Sequence, residues 1–263
     1  MTGLSPVAAL AVVGRWGLSV LAAIGRFTLF FVRAFAALPG AVIYPRETGR
    51  ALMAIGWRPL PLIGMTLGFT GAALALQVHA GSSRIAAESL VPQLVAVGIL
   101  RELGPVMVGL MIVARVTASI AAELATMTVR GEVETLHTLT APPMRYLVAP
   151  RLVAALLVAP MLLFLGDTLG LMGGFLMATL VLDFAPEPYV LESWGFLTTA
   201  DLVSSLVKGE VFAVLAVVMG CFYGLHATGG ARGVGRAVRG AVQSAALMIL
   251  AVNVLITLVL FAS

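Results

Sequence analysis

The stretch GLMIVARVTASIAAELATM, residues 109–127, decides the fold class, because it is built for the interior of a bilayer and yet carries Arg115 and Glu123. An arginine at the centre of a membrane helix costs about 2.5–3.5 kcal/mol on insertion scales, so it persists only beside a partner or a watery cavity. Ala114, Ala118 and Ala122 recur every four residues beside Ser119, a ridge of small side chains that lets one helix pack closely on others. Glu123 lies about 80° round the helix from Arg115 and about 12 Å along it, so a direct pair within one helix is strained. The expectation is a span buried among other helices, with Arg115 and Glu123 as structural polar residues whose partners come from neighbouring helices.

Composition agrees with a membrane solvent. Of 263 residues, 60% are apolar and 11% charged, with a mean hydropathy of +1.07, against about 25% charged in a soluble domain. Apolar runs near the roughly 20 residues needed to cross a bilayer lie at 60–80, 103–126, 147–181, 205–226 and 241–262. The chain therefore reads as an all-α integral membrane protein with five spans. The third run is long for one crossing and carries Pro160, Asp167 and Gly173-Gly174, which predicts a kinked or tilted helix with a re-entrant end. The single cysteine, Cys221, lies in an apolar segment and reads as a small packed residue.

Residues 7–37 are apolar too, but Arg15, Arg26 and Arg33 return to within about 20° of one face at 100° per residue. Phe27, Phe30, Phe31 and Phe35 largely occupy other faces, which points to an amphipathic helix lying in the interface. Residues 1–45 thus form an amino-terminal interfacial region and residues 46–263 the membrane domain. With the amino terminus cytoplasmic, twelve basic residues fall inside and three outside, namely Arg84, Arg101 and Lys208; the positive-inside rule favours that orientation. The segment 182–201, with Asp183, Glu187, Glu192 and Asp201, is then an acidic external loop, and the carboxyl terminus is external.

A second polar group stands in GILRELGPV (98–106) and SSLVKGEVF (204–212), where Arg101, Glu102 and Lys208, the sole lysine, sit near the outer ends of spans. Adjacent Arg and Glu point about 100° apart on a helix, so both cannot face lipid without penalty. Cations there suit phosphate headgroups; interfacial snorkelling is the plainer alternative. The histidines His79, His137 and His226 are scattered, no H-E-x-x-H or G-x-S-x-G occurs, and Lys208 is followed by Gly209, so no phosphate-binding loop for ATP is present. The glycine-rich TGGARGVGRAVRG (228–240) reads as a basic cytoplasmic loop. In MTVRGEVETLHTLTAPPMRYLVAPR (127–151), Val133, Leu136 and Leu139 or Thr140 fall at helical spacing while Glu132, Glu134 and His137 stay polar. A short amphipathic helix ending before Pro142-Pro143 would offer an apolar ridge to a partner.

Taken in order, LRELGPVMVGLMIVARVTASIAAELATM, RYLVAPR and GLHATGGARGVGRAVRGAV resemble the MlaE/YrbE family of permeases from about residue 45 onward. The resemblance implies a homodimeric permease subunit of an ABC-type system moving phospholipid in a bacterial envelope and supporting outer-membrane lipid homeostasis. It implies a multi-pass protein of the inner membrane, amino terminus cytoplasmic and carboxyl terminus periplasmic. It further implies two copies of a cytoplasmic ATPase that carry the ATP and Mg, an MCE-domain lipid-binding assembly outside, a hexamer by that resemblance, and in some systems a small STAS-domain protein. No cofactor on this chain and no nucleic acid are expected. Arg101, Glu102 and Lys208 match positions associated with the lipid cavity, and residues 127–143 match the coupling helix, with Arg130, Glu132, Val133, Glu134, Leu136 and His137 as ATPase-contact candidates. This chain departs from the family in Ala114, Thr117 and Ala125, where glycine is frequent, in Arg130-Gly131-Glu132, and in Pro142 for a usual Asp. Charge reversal at Lys208 is expected to lower transport and leave assembly intact. Other readings are a sterol or fatty-acid importer permease of actinobacterial type, a stand-alone secondary transporter, which would show repeats in two halves, and a membrane scaffold.

Overall fold

A computed structural model describes residues 6–82, 88–138 and 141–261, and every regular element there is helical. Helix α1 covers Pro6–Ala36 and is followed by a short 3-10 segment, Leu38–Ile43. The helices α2 (Pro45–Ser82), α3 (Val91–Val129), α5 (Met144–Leu180), α7 (Thr199–Leu225) and α8 (Gly230–Phe261) are long and apolar enough to cross a membrane. Two short helices, α4 (Glu132–Thr138) and α6 (Pro186–Phe196), cap opposite ends of the bundle. Arg84, Leu139 and Thr140 lie outside the described residues, as do the side chains of Arg15 and His137.

Cross-helix contacts set the directions. Thr117 donates to the Ala216 carbonyl at 2.9 Å and Thr128 to that of Gly224 at 3.3 Å, so α3 and α7 run the same way. Tyr223 meets Ser244 while Lys208 meets Thr257, so α8 runs back along α7. The chain thus alternates up and down across five spans, with α4 at one end and α6 at the other.

Close approach of α2 and α5 depends on glycine. A Cβ on Gly71 would lie 1.9 Å from the Gly170 carbonyl oxygen, and one on Gly173 would lie 2.0 Å from that of Gly68. The backbones themselves are in contact, the packing mode that small residues permit in membranes. This corrects the expected re-entrant end of the third span. Gly173-Gly174 do not break α5, which stays helical through Pro160 to Leu180, because these glycines are its contact surface with α2.

Helix α1 is not among the candidate spans. Its Phe30 is buried, and Phe27 and Phe30 lie 5.7 and 5.4 Å from the Phe222 ring near the α4 end of α7. Arg26 and Arg33 stay exposed on other faces, in keeping with an amphipathic interfacial helix.

Helix α3 begins at Val91, twelve residues before the apolar run suggests. Two π-helical turns interrupt it, at Ile99–Leu103 and Val113–Thr117. Such turns concentrate at functional sites. Here they carry Arg101, Glu102 and Arg115.

Candidate functional site

The first π turn of α3 is followed by Gly104-Pro105. Proline has no N–H, so Pro105 returns no hydrogen bond to the carbonyl four residues earlier, and that carbonyl belongs to Arg101. Lys208 takes it instead: its Nζ donates to the Arg101 oxygen at 2.6 Å. The same ammonium donates to Glu102 Oε1 at 2.8 Å and to Thr257 Oγ1 at 2.7 Å, which uses its three donors. Glu102 also accepts from Thr257 Oγ1 at 2.8 Å and, on Oε2, from Asn253 Nδ2 at 2.8 Å. Arg101 points elsewhere, as its 100° offset requires, and its Nε donates to Asp201 Oδ1.

Three helices therefore meet on one polar cluster. The Lys208 side chain has no exposed surface, whereas that of Glu102 is 42% exposed. An ammonium so placed holds the Glu102 carboxylate in position; the part of the cluster with exposed surface is Glu102 with Arg101. The cluster is also deeper than the sequence suggests, since Glu102 lies about 16 Å along α3 from Val91 and Lys208 about 14 Å along α7, at roughly 1.5 Å per residue.

Asp201 is not part of an exposed acidic loop. It is fully buried at the start of α7, where its Oδ2 accepts from the Thr198 N–H at 2.9 Å and the Thr198 hydroxyl at 2.8 Å. This is a reciprocal capping box with Thr198. It lets one carboxylate fix both the helix start and Arg101. Beneath α6 the same two helices, with α5, wall a cavity of about 400 Å³. Phe164, Phe175, Tyr189 and Trp194 make its lining apolar, while Asp167 enters its wall with Oδ2 accepting from Ser205 at 2.7 Å. A polar cluster thus stands beside a volume suited to hydrocarbon.

At the α4 end the two residues of the opening stretch separate. Glu123 Oε1 pairs with Arg151 Nη2 of α5 at 2.9 Å, which supplies the partner on another helix. Arg115 has no ion partner among the described residues and faces a second cavity with Glu123 and Arg151 on its wall.

The family model for the permease MlaE matches residues 48–259. The chain belongs to the MlaE permease family. It is 41% identical to a probable ABC transporter permease protein of Rickettsia felis over 249 residues, 95% of this chain and 96% of that protein. A probable ABC transporter permease protein of Synechocystis is 30% identical over 82% of each chain. Protein trigalactosyldiacylglycerol 1, chloroplastic, of Arabidopsis thaliana is 31% identical over 76% of this chain and 57% of its own length. This MlaE-family chain is thus an ABC permease subunit and a multi-pass membrane protein, and its family implies a dimer and an ATPase on a separate subunit.

In this permease, residues 132–138 of the segment that resembles the coupling helix form α4, and its two faces differ. Val133 and Leu136 are partly buried against the main core, so the apolar ridge turns inward onto the bundle. Glu132, Glu134 and Arg130 are exposed, the last 3.8 Å from Glu132. The surface that α4 leaves exposed is thus charged, and the ridge anchors the helix to the bundle. Sequence reasoning missed Asp201, Asn253 and Thr257 in the MlaE-family cluster. The last two stand four residues apart in an otherwise apolar run, and that spacing on one helix face was the available signal.

Proposed function

We propose that this permease moves phospholipid between the bacterial inner membrane and an MCE-domain protein on its outer side, driven by a cytoplasmic ABC ATPase. The α4 end faces the cytoplasm and the α6 end the periplasm. The carrying observation is the Glu102–Lys208–Asn253–Thr257 cluster with Arg101 beside it, set deep in the spans next to an apolar cavity. Half-buried carboxylate and guanidinium groups in that position suit a zwitterionic or anionic headgroup, while the cavity suits an acyl chain. The reading draws further support from the Arabidopsis relative, whose name is that of a glycerolipid. ATP-driven motion of the partner enters through α4 and the exposed Arg130, Glu132 and Glu134.

The test is mild extraction of the tagged chain from its native membrane, followed by mass spectrometry of proteins and lipids. Recovery of an ABC ATPase, an MCE-domain protein and phospholipid is the expected result. A sterol in place of phospholipid would redirect the cargo assignment, and repeated recovery of the chain alone, where a reference ABC complex survives, would contradict the reading.

A further inference from the structure

At the α4 end, α2, α3 and α5 border an open cavity of about 930 Å³ with a charged wall. Four arginines line it, Arg50, Arg58, Arg115 and Arg151, against the two carboxylates Glu47 and Glu123. Each carboxylate already holds an arginine: Arg50 Nη1 lies 2.8 Å from Glu47 Oε1, and Arg151 Nη2 lies 2.9 Å from Glu123 Oε1. Arg58 and Arg115 have no ion partner among the described residues.

These charges are ordered by depth. Glu47 and Arg50 lie in the first turns of α2, Glu123 and Arg151 about 10 Å from the ends of their helices, and Arg58 and Arg115 about 20 Å in, at roughly 1.5 Å per residue. Paired charges near the helix ends thus give way, further along the spans, to two exposed guanidiniums with no ion partner among the described residues. Such groups are retained inside spans where they face a watery cavity or a counter-ion, and here two from different helices face the same space. Guanidinium forks match phosphate oxygens in shape and charge. The volume is within the roughly 300–1,000 Å³ of small-molecule sites, and Met53, Ile120 and Met127 supply apolar wall beside the charges.

We propose that this cavity receives the phosphate headgroup of an anionic lipid from the leaflet at the α4 end, with Arg58 and Arg115 as its ligands. The inference rests on the transport reading above and adds to it a lipid site on the side opposite the Glu102 cluster. It also gives Arg115 a role other than framework, since Glu123 is engaged by Arg151.

Ser119 lines the cavity and Cys221 is the sole cysteine, fully buried. The experiment therefore uses S119C in a C221A background, in the purified transporter with its ATPase and without nucleotide. Labelling rates are measured with an anionic and a cationic methanethiosulfonate reagent. The anionic reagent is expected to react about tenfold faster, as a focused positive field concentrates anions. Vesicles of phosphatidylcholine containing phosphatidylglycerol are expected to suppress that labelling, and phosphatidylcholine alone is not. R58Q/R115Q is expected to abolish both preference and protection; R58Q alone, at an exposed position, is expected to weaken both and serves if the double variant fails to fold. Equal rates for the two reagents, or equal protection by phosphatidylcholine, would overturn the proposal. Protection by inorganic phosphate in detergent with none from phosphatidylglycerol would overturn the lipid assignment in favour of a free anion. Lipid transport is read separately in the same vesicles. Labelling as expected without transport counts against the transport reading alone, and transport without charge preference counts against this site alone.

Discussion

Replacing Glu102 with glutamine is expected to lower the folded stability of the protein by about 3 kcal/mol, because it strands a buried ammonium. Lys208 is fully enclosed, and Glu102 is its only carboxylate partner among the described residues. The Arg101 carbonyl and the Thr257 hydroxyl remain as acceptors but do not neutralise it. K208M is expected to cost less. Glu102 is 42% exposed and keeps Asn253 and Thr257 as donors, so it reaches water when the lysine is gone. Removing both charges in E102Q/K208M is expected to bring stability back near wild type, since replacing a buried pair by neutral groups of similar volume is often neutral or stabilising. Thermal unfolding of the purified variants, read as a double-mutant cycle, measures the coupling. Wild-type stability in E102Q would contradict the burial of Lys208. The same geometry changes the outcome expected for K208E: a second carboxylate against Glu102 and the Arg101 carbonyl is incompatible with the folded bundle, so assembly should be lost along with transport.

The second large effect is at Gly71. A Cβ there meets the Gly170 oxygen at 1.9 Å, the Gly170 carbonyl carbon at 2.8 Å and the Gly174 nitrogen at 3.1 Å. All three are backbone atoms, so no rotamer change relieves the clash, and α2 and α5 must separate. Overpacking a tight core costs about 1–3 kcal/mol and occasionally more. G71V is expected at or above the top of that range, because parting the helices also undoes the neighbouring Gly68–Gly173 contact. G81A, where nothing lies within 4 Å of an added Cβ, is expected to leave stability unchanged. Thermal unfolding of the two variants side by side separates a packing effect from a general dislike of side chains in α2; equal behaviour would contradict the backbone contact.

What was legible in the sequence follows from the length of the apolar signal. Five runs near bilayer length became five long helices, and the phenylalanine and arginine faces of α1 separated as their spacing required. Helix starts were less legible: Pro92 and the Arg101-Glu102 pair depress hydropathy over the first turns of α3, so its apolar run begins late. Register was invisible, because nothing in the spacing of Arg101 or Arg115 announces a π-helical turn. Asp201 looked like one of several acids in a loop, although Thr198-x-x-Asp201 is a capping-box pattern that marks the start of α7. Lys208 near a span end suggested snorkelling. Its burial depends on a carbonyl freed by Pro105 in another helix, a tertiary coincidence that one-dimensional pattern does not carry. Charge separation within one helix made a direct Arg115–Glu123 pair strained and pointed to a partner on another helix, but only the packing of α5 identified Arg151 as the partner of Glu123.

The most direct test of the central claim is ATP-dependent transfer of a fluorescent phospholipid by the permease reconstituted with its ATPase, wild type against E102Q/K208M. Because the double variant is expected to fold and to bind its ATPase, loss of transfer with assembly retained would place lipid handling at the Glu102 cluster. Transfer at the wild-type rate would contradict it.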